Sequence, residues 1–90
     1  MCKSFQIKII GKVQGVWFRK YTNDKAKELG LFGFVKNQAD GSVYVEAESD
    51  SETVLQQFID WLRTGSPLSK VERVNAVGQD CQYFDKFEIR

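Results

Sequence analysis

The chain has 90 residues, a formal net charge of +1, and 42% hydrophobic against 28% charged residues. The length suits one domain with a small core, and the composition is typical of a globular protein rather than a disordered one. The near-neutral charge argues against a broad nucleic-acid surface, and no apolar run approaches the ~20 residues that span a membrane. Histidine is absent, which removes the commonest metal ligand and the usual general base. The first residues lack the apolar stretch of a signal peptide, so we expect a cytoplasmic protein without a membrane partner.

The first half of the chain alternates between strand-like and helix-like patterns. Apolar and polar residues alternate over residues 5–11, which predicts a half-buried strand. Residues 20–29 place apolar side chains at helical spacing, and Gly30 then supplies a stop signal. Residues 33–37 and 42–48 indicate two further strands, joined by an Asp-Gly turn that suits a tight hairpin.

The second half predicts one more helix and two more strands. Ser49 and Glu52 have the spacing of a capping box, which predicts a helix that runs to about residue 63 with one apolar stripe. Residues 70–79 predict a less regular strand, and residues 84–90 predict a short terminal strand.

The order of these elements predicts the fold class. The pattern β-α-β-β-α-β, followed by a short strand, fits an α+β ferredoxin-like split β-α-β sandwich. We expect an antiparallel sheet with two helices on one face, and a single domain over residues 1–90. Because such a fold serves many functions, the function has to be inferred from particular residues.

The segment Gly11–Arg19, with the sequence GKVQGVWFR, joins the first strand to the first helix. The first N–H groups of a helix have no partner inside the helix, and the helix dipole makes that end weakly positive. A glycine in the preceding loop lets successive N–H groups converge into a nest for an anion such as phosphate. Arg19 adds a planar fork of donors that fits phosphate oxygens. The segment therefore predicts a phosphate cradle, although it also fits a plain turn followed by a solvated arginine.

Two blocks of the sequence resemble the signatures of the acylphosphatase family. Gly11–Arg19 is similar to the pattern Gly-basic-Val-Gln-Gly-Val-x-aromatic-Arg. Gly33–Val43, which reads GFVKNQADGSV, is similar to the second pattern of the family. The chain departs from the family at Trp17, where a small residue is often found, and at Ser49, where the second signature usually ends in glycine. Neither departure affects the residues that are expected to do the chemistry.

The resemblance implies an enzyme and its site. Arg19 matches the phosphate-binding arginine of the family, and Asn37 matches the asparagine that positions water. The loop amides that hold the phosphoryl oxygens correspond to Gln14, Gly15, Val16, Trp17, Phe18 and Arg19. The family hydrolyses the carboxyl–phosphate bond of acyl phosphates, to a carboxylate and inorganic phosphate, without a metal. The resemblance thus implies a small-molecule acyl phosphate as substrate, phosphate or sulfate as product-like ligands, no cofactor, no nucleic-acid partner and a monomer.

The predicted fold brings Asn37 toward the cradle. The first and third strands should lie side by side, and the second should border the third, so the end of the second strand comes near the loop after the first. Taken alone, Asn37 is better explained as a turn residue before the Asp-Gly pair. We expect Phe18 in the core, and Trp17 is a candidate for the mouth of the site. The lysines that flank the site, which either steer an anion or are ordinary surface residues, are Lys12, Lys20 and Lys36.

Other residues that could carry chemistry have ordinary explanations. Asp40, Glu46 and Glu48 suggest a metal site, but we expect them on the exposed faces of the hairpin.

Cys2 and Cys81 come close together if the last core strand runs antiparallel to the first. Because cytosolic thiols are normally reduced, we expect two free cysteines there, with a disulfide as the alternative.

Two other interpretations compete with a free-standing enzyme. One is a non-catalytic ferredoxin-like module that binds a phosphorylated ligand or a protein partner. The other is the acylphosphatase-like domain at the amino end of larger hydrogenase-maturation carbamoyltransferases. The presence of both Arg19 and Asn37 favours an enzyme, and the end of the chain at Arg90 favours a free-standing one. Small metabolic acyl phosphates, carbamoyl phosphate and phosphorylated aspartates on proteins all fit as the physiological substrate.

Overall fold

Five strands and two helices make up the chain in a computed structural model that describes residues 1–90. The strands are β1 (Lys3–Lys12), β2 (Phe32–Asn37), β3 (Val43–Ser49), β4 (Lys70–Gln79) and β5 (Phe87–Ile89). The helices are α1 (Phe18–Glu28) and α2 (Glu52–Thr64). This order confirms the predicted ferredoxin-like α+β fold. Neither helix is long and apolar enough to cross a membrane.

The strands lie in one sheet in the order β4-β1-β3-β2-β5. β1 pairs antiparallel with both β3 and β4, and β2 pairs antiparallel with β3. The terminal strand β5 instead pairs parallel with β2, so the sheet is mixed where the sequence predicted an antiparallel one. After β4, at one edge of the sheet, the chain passes to the opposite edge and reverses its direction, so β5 runs the same way as its neighbour β2.

The hydrophobic core lies between the sheet and the two helices. Ile7, Ile9 and Val45 point toward the helices and belong to one cluster of 16 buried apolar residues. Their neighbours Gln6 and Glu46 point to the other face, as the two-residue period of a strand requires. The residues that the helices contribute to the cluster are Phe18, Ala26, Leu55, Phe58, Ile59 and Leu62. Because each large side chain contributes about 1.5–3 kcal/mol on burial, the two apolar stripes hold both helices on this face.

The cap of α2 is Ser51, not Ser49 as the sequence predicted. The Oγ of Ser51 accepts a hydrogen bond from the N–H of Val54 at 3.2 Å, and Glu52 lies in the first turn. Ser49 is still part of β3, and its Oγ accepts a hydrogen bond from the N–H of Ser51 at 3.0 Å. The predicted capping box was wrong because the extended backbone of β3 continues through Ser49.

The pairing of β1 with β4 is irregular near the end of β1. The pairing of β1 with β4 shifts its register between Ile10 and Gly11. Gly11 has a φ of 142°, and a Cβ atom there would overlap the carbonyl oxygen of Lys70. Only glycine lets the two backbones approach at this point.

The two cysteines form a disulfide at the end of the sheet where β1 begins. Cys2 precedes β1 and Cys81 follows β4, so the antiparallel pairing of these strands brings them together as predicted. Their Cα atoms lie 6.3 Å apart. The expectation of two free thiols was therefore wrong, and the alternative of a disulfide is the one that the structure contains.

Glu48 is buried beside this disulfide, although the sequence predicted it on an exposed face of the hairpin. Only 2% of its surface is exposed. Its two carboxylate oxygens accept hydrogen bonds from the N–H groups of Gln82 at 2.9 Å and Phe84 at 2.8 Å. A buried carboxylate needs such donors, and Glu48 in turn fixes the segment that leads to β5.

Candidate active site

Residues 13–17, between β1 and α1, have the backbone geometry of an anion nest, and we call them the cradle loop. Gly15 and Trp17 have positive φ values of 73° and 62°. Left-handed residues of this kind turn successive N–H groups toward one point. The N–H groups of residues 14–17 donate to no other backbone group of the chain. They are therefore donors that a ligand can use.

The two helices begin in opposite ways. α2 starts with the cap Ser51 and the acidic Glu52, the arrangement that stabilises a helix N-terminus. α1 starts after Trp17 with no side-chain cap and no acidic residue in its first turn, and it carries Arg19 and Lys20 there instead. Cations at this end oppose the helix dipole, so α1 has a positive, unsatisfied N-terminus that a bound anion would stabilise.

Arg19 is exposed and has no partner within the chain. The guanidinium hydrogen bonds and salt bridges of the molecule belong to Arg63 and Arg90. All five N–H donors of Arg19 are therefore available to a ligand.

Two side chains hold the cradle loop in place. The Nε2 of Gln14 donates to the carbonyl oxygens of Gln38 at 2.8 Å and Ser42 at 2.9 Å. Both carbonyls belong to the turn between β2 and β3, so Gln14 ties the loop to the end of β2. On the other side, the Oγ of Ser66 donates to the carbonyl oxygen of Val16 at 3.1 Å in a buried position.

Asn37 is the last residue of β2 and lines the same cavity as Arg19. Its Oδ1 atom is buried and has no hydrogen-bond partner in the chain. Leaving such an atom unpaired costs about 1–3 kcal/mol, and a side-chain amide offers both an acceptor and donors to a bound water. A residue needed only for the hairpin turn would not require its amide inside a cavity.

An open cavity of about 560 Å³ brings these groups together. Its polar side chains come from Arg19, Lys20 and Asn37, and Gly15 contributes cradle-loop backbone. The apolar residues that line it are Val13, Trp17, Phe18 and Ile89. One side of the cavity can thus hold an anion, and the other side is hydrophobic.

The predicted site residues fall into two groups. Those that line the cavity are Gly15, Trp17, Phe18, Arg19 and Asn37. Gln14 and Val16 do not line it, because Gln14 reaches the hairpin turn and Val16 joins the core cluster. Phe18 is also in the core, as predicted, with 1% of its surface exposed.

Of the three lysines predicted near the site, only Lys20 lines the cavity, and its ammonium pairs with Asp24 at 3.0 Å. Lys36 lies on the opposite face of the sheet, with its ammonium 6.0 Å from the centre of the Phe34 ring. Lys12 is an exposed residue at the end of β1. Arg19 is therefore the one cation of the cavity that has no carboxylate partner.

The hairpin carboxylates have partners of their own. Asp40 pairs with Lys8 at 2.8 Å and accepts hydrogen bonds from Ser42, and these contacts hold the pKa of Asp40 well below its usual range. Glu46 accepts a hydrogen bond from the hydroxyl of Tyr44 at 2.7 Å. Burial and this hydrogen bond raise the pKa of Tyr44 above its usual range.

Sequence reasoning missed three contributors to the site: the side chain of Gln14, Ser66 and Ile89. The family resemblance implies a role only for the backbone amide of Gln14. Ser66 lies after α2, and no local pattern connects it with Val16. Ile89 reaches the cavity because β5 pairs parallel with β2, where Ile89 lies opposite Val35. The alternation of β5 indicated which side Ile89 would share with Phe87, but not which strand would be its neighbour.

Comparison with known proteins identifies the family. The profile of the Acylphosphatase family matches residues 5–89. The chain belongs to the acylphosphatase family. An acylphosphatase of Mannheimia succiniciproducens is 52% identical to it over 69 residues, which are 77% of this chain and 76% of that protein. An acylphosphatase of Archaeoglobus fulgidus is 37% identical over 86 residues, which are 96% of each chain.

A solved structure gives the same result. The crystal structure of the acylphosphatase from Bacillus subtilis matches with a TM-score of 0.93 and 34% identity, over 100% of this chain and 99% of that one. These similarities confirm the family that the two signatures indicated and the prediction that the chain is an acylphosphatase enzyme.

Proposed function

We propose that this acylphosphatase hydrolyses small-molecule acyl phosphates without a metal, with Arg19, Asn37 and the amides of residues 14–19 as its catalytic groups. The observation that carries the proposal is that an unpaired guanidinium and an unpaired side-chain amide line one cavity at the uncapped start of α1. Phosphoryl transfer needs an anion site of this kind beside a group that positions water.

The phosphoryl group binds at the cradle loop. Its oxygens accept hydrogen bonds from the loop amides and from the guanidinium of Arg19. Gln14 and Ser66 hold the loop before substrate binds. Because the donors are already oriented, little reorganisation is needed as charge shifts in the transition state.

Asn37 orients the attacking water. The water oxygen attacks phosphorus, the bond between phosphorus and the acyl oxygen breaks, and the carboxylate leaves with the bonding electron pair. A phosphoryl oxygen of the substrate takes the proton of the water, which yields a carboxylate and inorganic phosphate. Since the carboxylate is a good leaving group, positioning can replace a catalytic base, and a chain without histidine can perform the reaction.

The residues of the cavity favour a reaction without a divalent metal. Its polar side chains are those of Arg19, Lys20 and Asn37, and no carboxylate lines it. Mg²⁺ is normally held by one or two carboxylates together with substrate phosphates. Here the guanidinium of Arg19 supplies the positive charge that would otherwise come from the ion.

Hydrolysis of benzoyl phosphate in the presence of EDTA tests the role of Asn37. Asn37→Ala should lower kcat sharply and leave the affinity for inorganic phosphate largely intact, because only the water is misplaced. Asn75 is exposed on β4, so Asn75→Ala is a matched control that should behave as the wild type. Equal losses of phosphate affinity and kcat in Asn37→Ala would mean that Asn37 is structural.

The same assay tests Arg19. Arg19→Ala should raise KM and remove most turnover, because a charge-assisted contact of about 1.5–3 kcal/mol is lost. Arg73→Ala removes an exposed arginine of β4 as the control. Full activity of Arg19→Ala would exclude Arg19 from the mechanism. If the wild type bound phosphate without turning over any acyl phosphate, the chain would be a phospho-ligand module instead.

The monomeric state and the cytoplasmic location stay predictions from the sequence. Light scattering during size-exclusion chromatography tests the first, with the mass of 10.4 kDa as the expected value. A mass of twice that value would contradict it.

A further inference from the structure

The hydrophobic side of the cavity contains two side chains that the core does not enclose. Trp17 is 68% exposed and Ile89 is 44% exposed, and both line the cavity together with Arg19 and Asn37. Exposed large apolar residues that occur singly need no explanation, but two of them beside an anion site form an apolar surface in a ligand cavity.

The backbone of Trp17 is in an uncommon conformation. Its φ of 62° lies in the left-handed region, where a bulky residue is rare and costs of order 1 kcal/mol. The indole is not buried in return for this cost. Strained residues of this kind cluster at ligand sites, where surrounding contacts maintain them.

The position of Ile89 is fixed by the sheet. In the parallel pairing of β5 with β2, Ile89 lies opposite Val35, and the N–H of Arg90 donates to the carbonyl oxygen of Val35 at 2.8 Å. The guanidinium of Arg90 packs on the other face of the sheet, 4.2 Å from the centre of the Phe34 ring. Side chains alternate along a strand, so Ile89 points to the face of the helices, beside the end of β2.

The volume of the cavity is larger than the reaction centre needs. At about 560 Å³, it falls within the ~300–1,000 Å³ of pockets that enclose whole small-molecule ligands. A phosphoryl group and one water occupy only the polar side, between the cradle loop, Arg19 and Asn37. The space next to Trp17 and Ile89 is left for the acyl group.

We propose that Trp17 and Ile89 form an acyl-binding subsite, which selects acyl phosphates with an aromatic or large apolar acyl group. This inference rests on the proposed function, because it assigns the second half of the substrate to the second half of the same cavity. The face of the indole suits a stacked or edge-to-face contact with a flat ring of the acyl group, and Ile89 packs against the rim of that acyl ring. Acetyl phosphate is too small to use these contacts.

The proposal predicts a change in selectivity. The acyl ring is not the reacting group, so its contacts are equal in the ground state and the transition state, and their loss raises KM rather than lowering kcat. Trp17→Ala should lower the ratio of kcat/KM for benzoyl phosphate to kcat/KM for acetyl phosphate about tenfold, which corresponds to about 1.4 kcal/mol. Ile89→Ala should lower the same ratio about threefold. Any general damage to the cradle loop affects both substrates and cancels in the ratio.

Two variants serve as controls. Trp17→Phe keeps an aromatic ring in the subsite and should retain most of the ratio. Tyr83 is also an exposed aromatic residue with a positive φ, at 80% exposure and 58°, but it lies near the disulfide. Tyr83→Ala should leave the ratio unchanged.

Binding of non-hydrolysable analogues separates the two proposals. Isothermal titration calorimetry with benzoylphosphonate and acetylphosphonate measures the same preference without turnover. If Trp17→Ala binds benzoylphosphonate more weakly than the wild type does, but binds acetylphosphonate equally well, the result supports the subsite. If the wild type also hydrolyses neither acyl phosphate, the proposed mechanism fails but the subsite remains. Equal losses for both analogues, or no loss for either, overturn the subsite whatever the hydrolysis assay shows.

Discussion

Replacing Gln14 by methionine keeps the length of the side chain and removes the two hydrogen bonds that tie the cradle loop to the turn between β2 and β3. The Nε2 group donates to two main-chain carbonyl oxygens, those of Gln38 and Ser42, in a partly buried position. The variant therefore tests whether this tie places the loop relative to Asn37.

The loss of stability in Gln14→Met depends on whether the two carbonyl oxygens keep other hydrogen-bond donors. A neutral hydrogen bond contributes about 0.5–1.5 kcal/mol, and an orphaned buried acceptor adds a further penalty. Here neither acceptor is orphaned, because Gln38 O keeps the N–H of Gly41 at 3.1 Å and Ser42 O keeps the N–H of Gln38 at 2.9 Å. We expect Gln14→Met to lower the free energy of unfolding by about 1–2 kcal/mol, and each kcal/mol lowers Tm by about 4–8 °C in a domain of this size.

The cost in activity should be larger. A displacement of about 1 Å between reacting groups can lower a rate by about a hundredfold. We therefore expect kcat for benzoyl phosphate to fall by about tenfold to a hundredfold, while inorganic phosphate, which needs the cradle loop and Arg19 but not Asn37, still binds.

Urea denaturation and steady-state hydrolysis together test this reasoning. Gln56→Met is the matched control, because the Nε2 of Gln56 donates at 3.0 Å to the exposed carboxylate of Asp60 on the surface of α2. It should change stability and kcat little. If Gln14→Met lost stability but kept full kcat, the two hydrogen bonds of Gln14 would stabilise only the hairpin. If the variant lost neither stability nor kcat, these hydrogen bonds would contribute nothing.

Two further predictions concern stability. Reduction of the disulfide between Cys2 and Cys81, which are separated by 79 positions, should lower the free energy of unfolding by about 4–5 kcal/mol, from the entropy of closing a loop of that size. Urea midpoints with and without a reductant measure this loss of stability. The double variant with serine at both positions is the control and should not respond to the reductant. Equal midpoints for the wild type would contradict the prediction. Asp40 has a lowered pKa because of its contacts with Lys8 and Ser42. Its stabilisation is therefore complete above the unfolded pKa of about 3.9 and is lost as pH falls toward the folded one. Asp40→Asn should flatten the acid side of the plot of unfolding free energy against pH. An unchanged slope would show that the contacts of Asp40 with Lys8 and Ser42 do not contribute to stability.

Periodicity predicted the elements well, because it is a local property that the core enforces. The strand predicted at residues 70–79 has the bounds of β4, and the apolar stripe of α2 packs on the sheet as expected. The first helix begins at Phe18 rather than residue 20, since the large ring of Phe18 is already part of the core. The family signatures predicted that Arg19 and Asn37 belong to one site, and both line the same cavity.

Features that depend on distant partners could not be predicted in this way. Glu48 alternates as an exposed strand residue, but it is buried because the segment after β4 folds back and donates two N–H groups to it. The direction of β5, and with it the place of Ile89, depends on which edge of the sheet is free. The hydrogen bonds of Gln14 and Ser66 likewise join segments that no local pattern relates.

The central position of β1 has a consequence for how the site forms during folding. β1 lies between β3 and β4, and other elements separate it from both of them along the chain, so its pairing requires large loops to close and raises the contact order of the fold. The cradle loop leaves β1 and takes its restraints from the β2–β3 turn and from the loop after α2. During synthesis, the phosphate-binding segment is made before the segments that restrain it. It cannot become ordered until the β2–β3 turn and the loop after α2 have also been made. Acquisition of phosphate binding should therefore coincide with global folding, and no early intermediate should contain an ordered site.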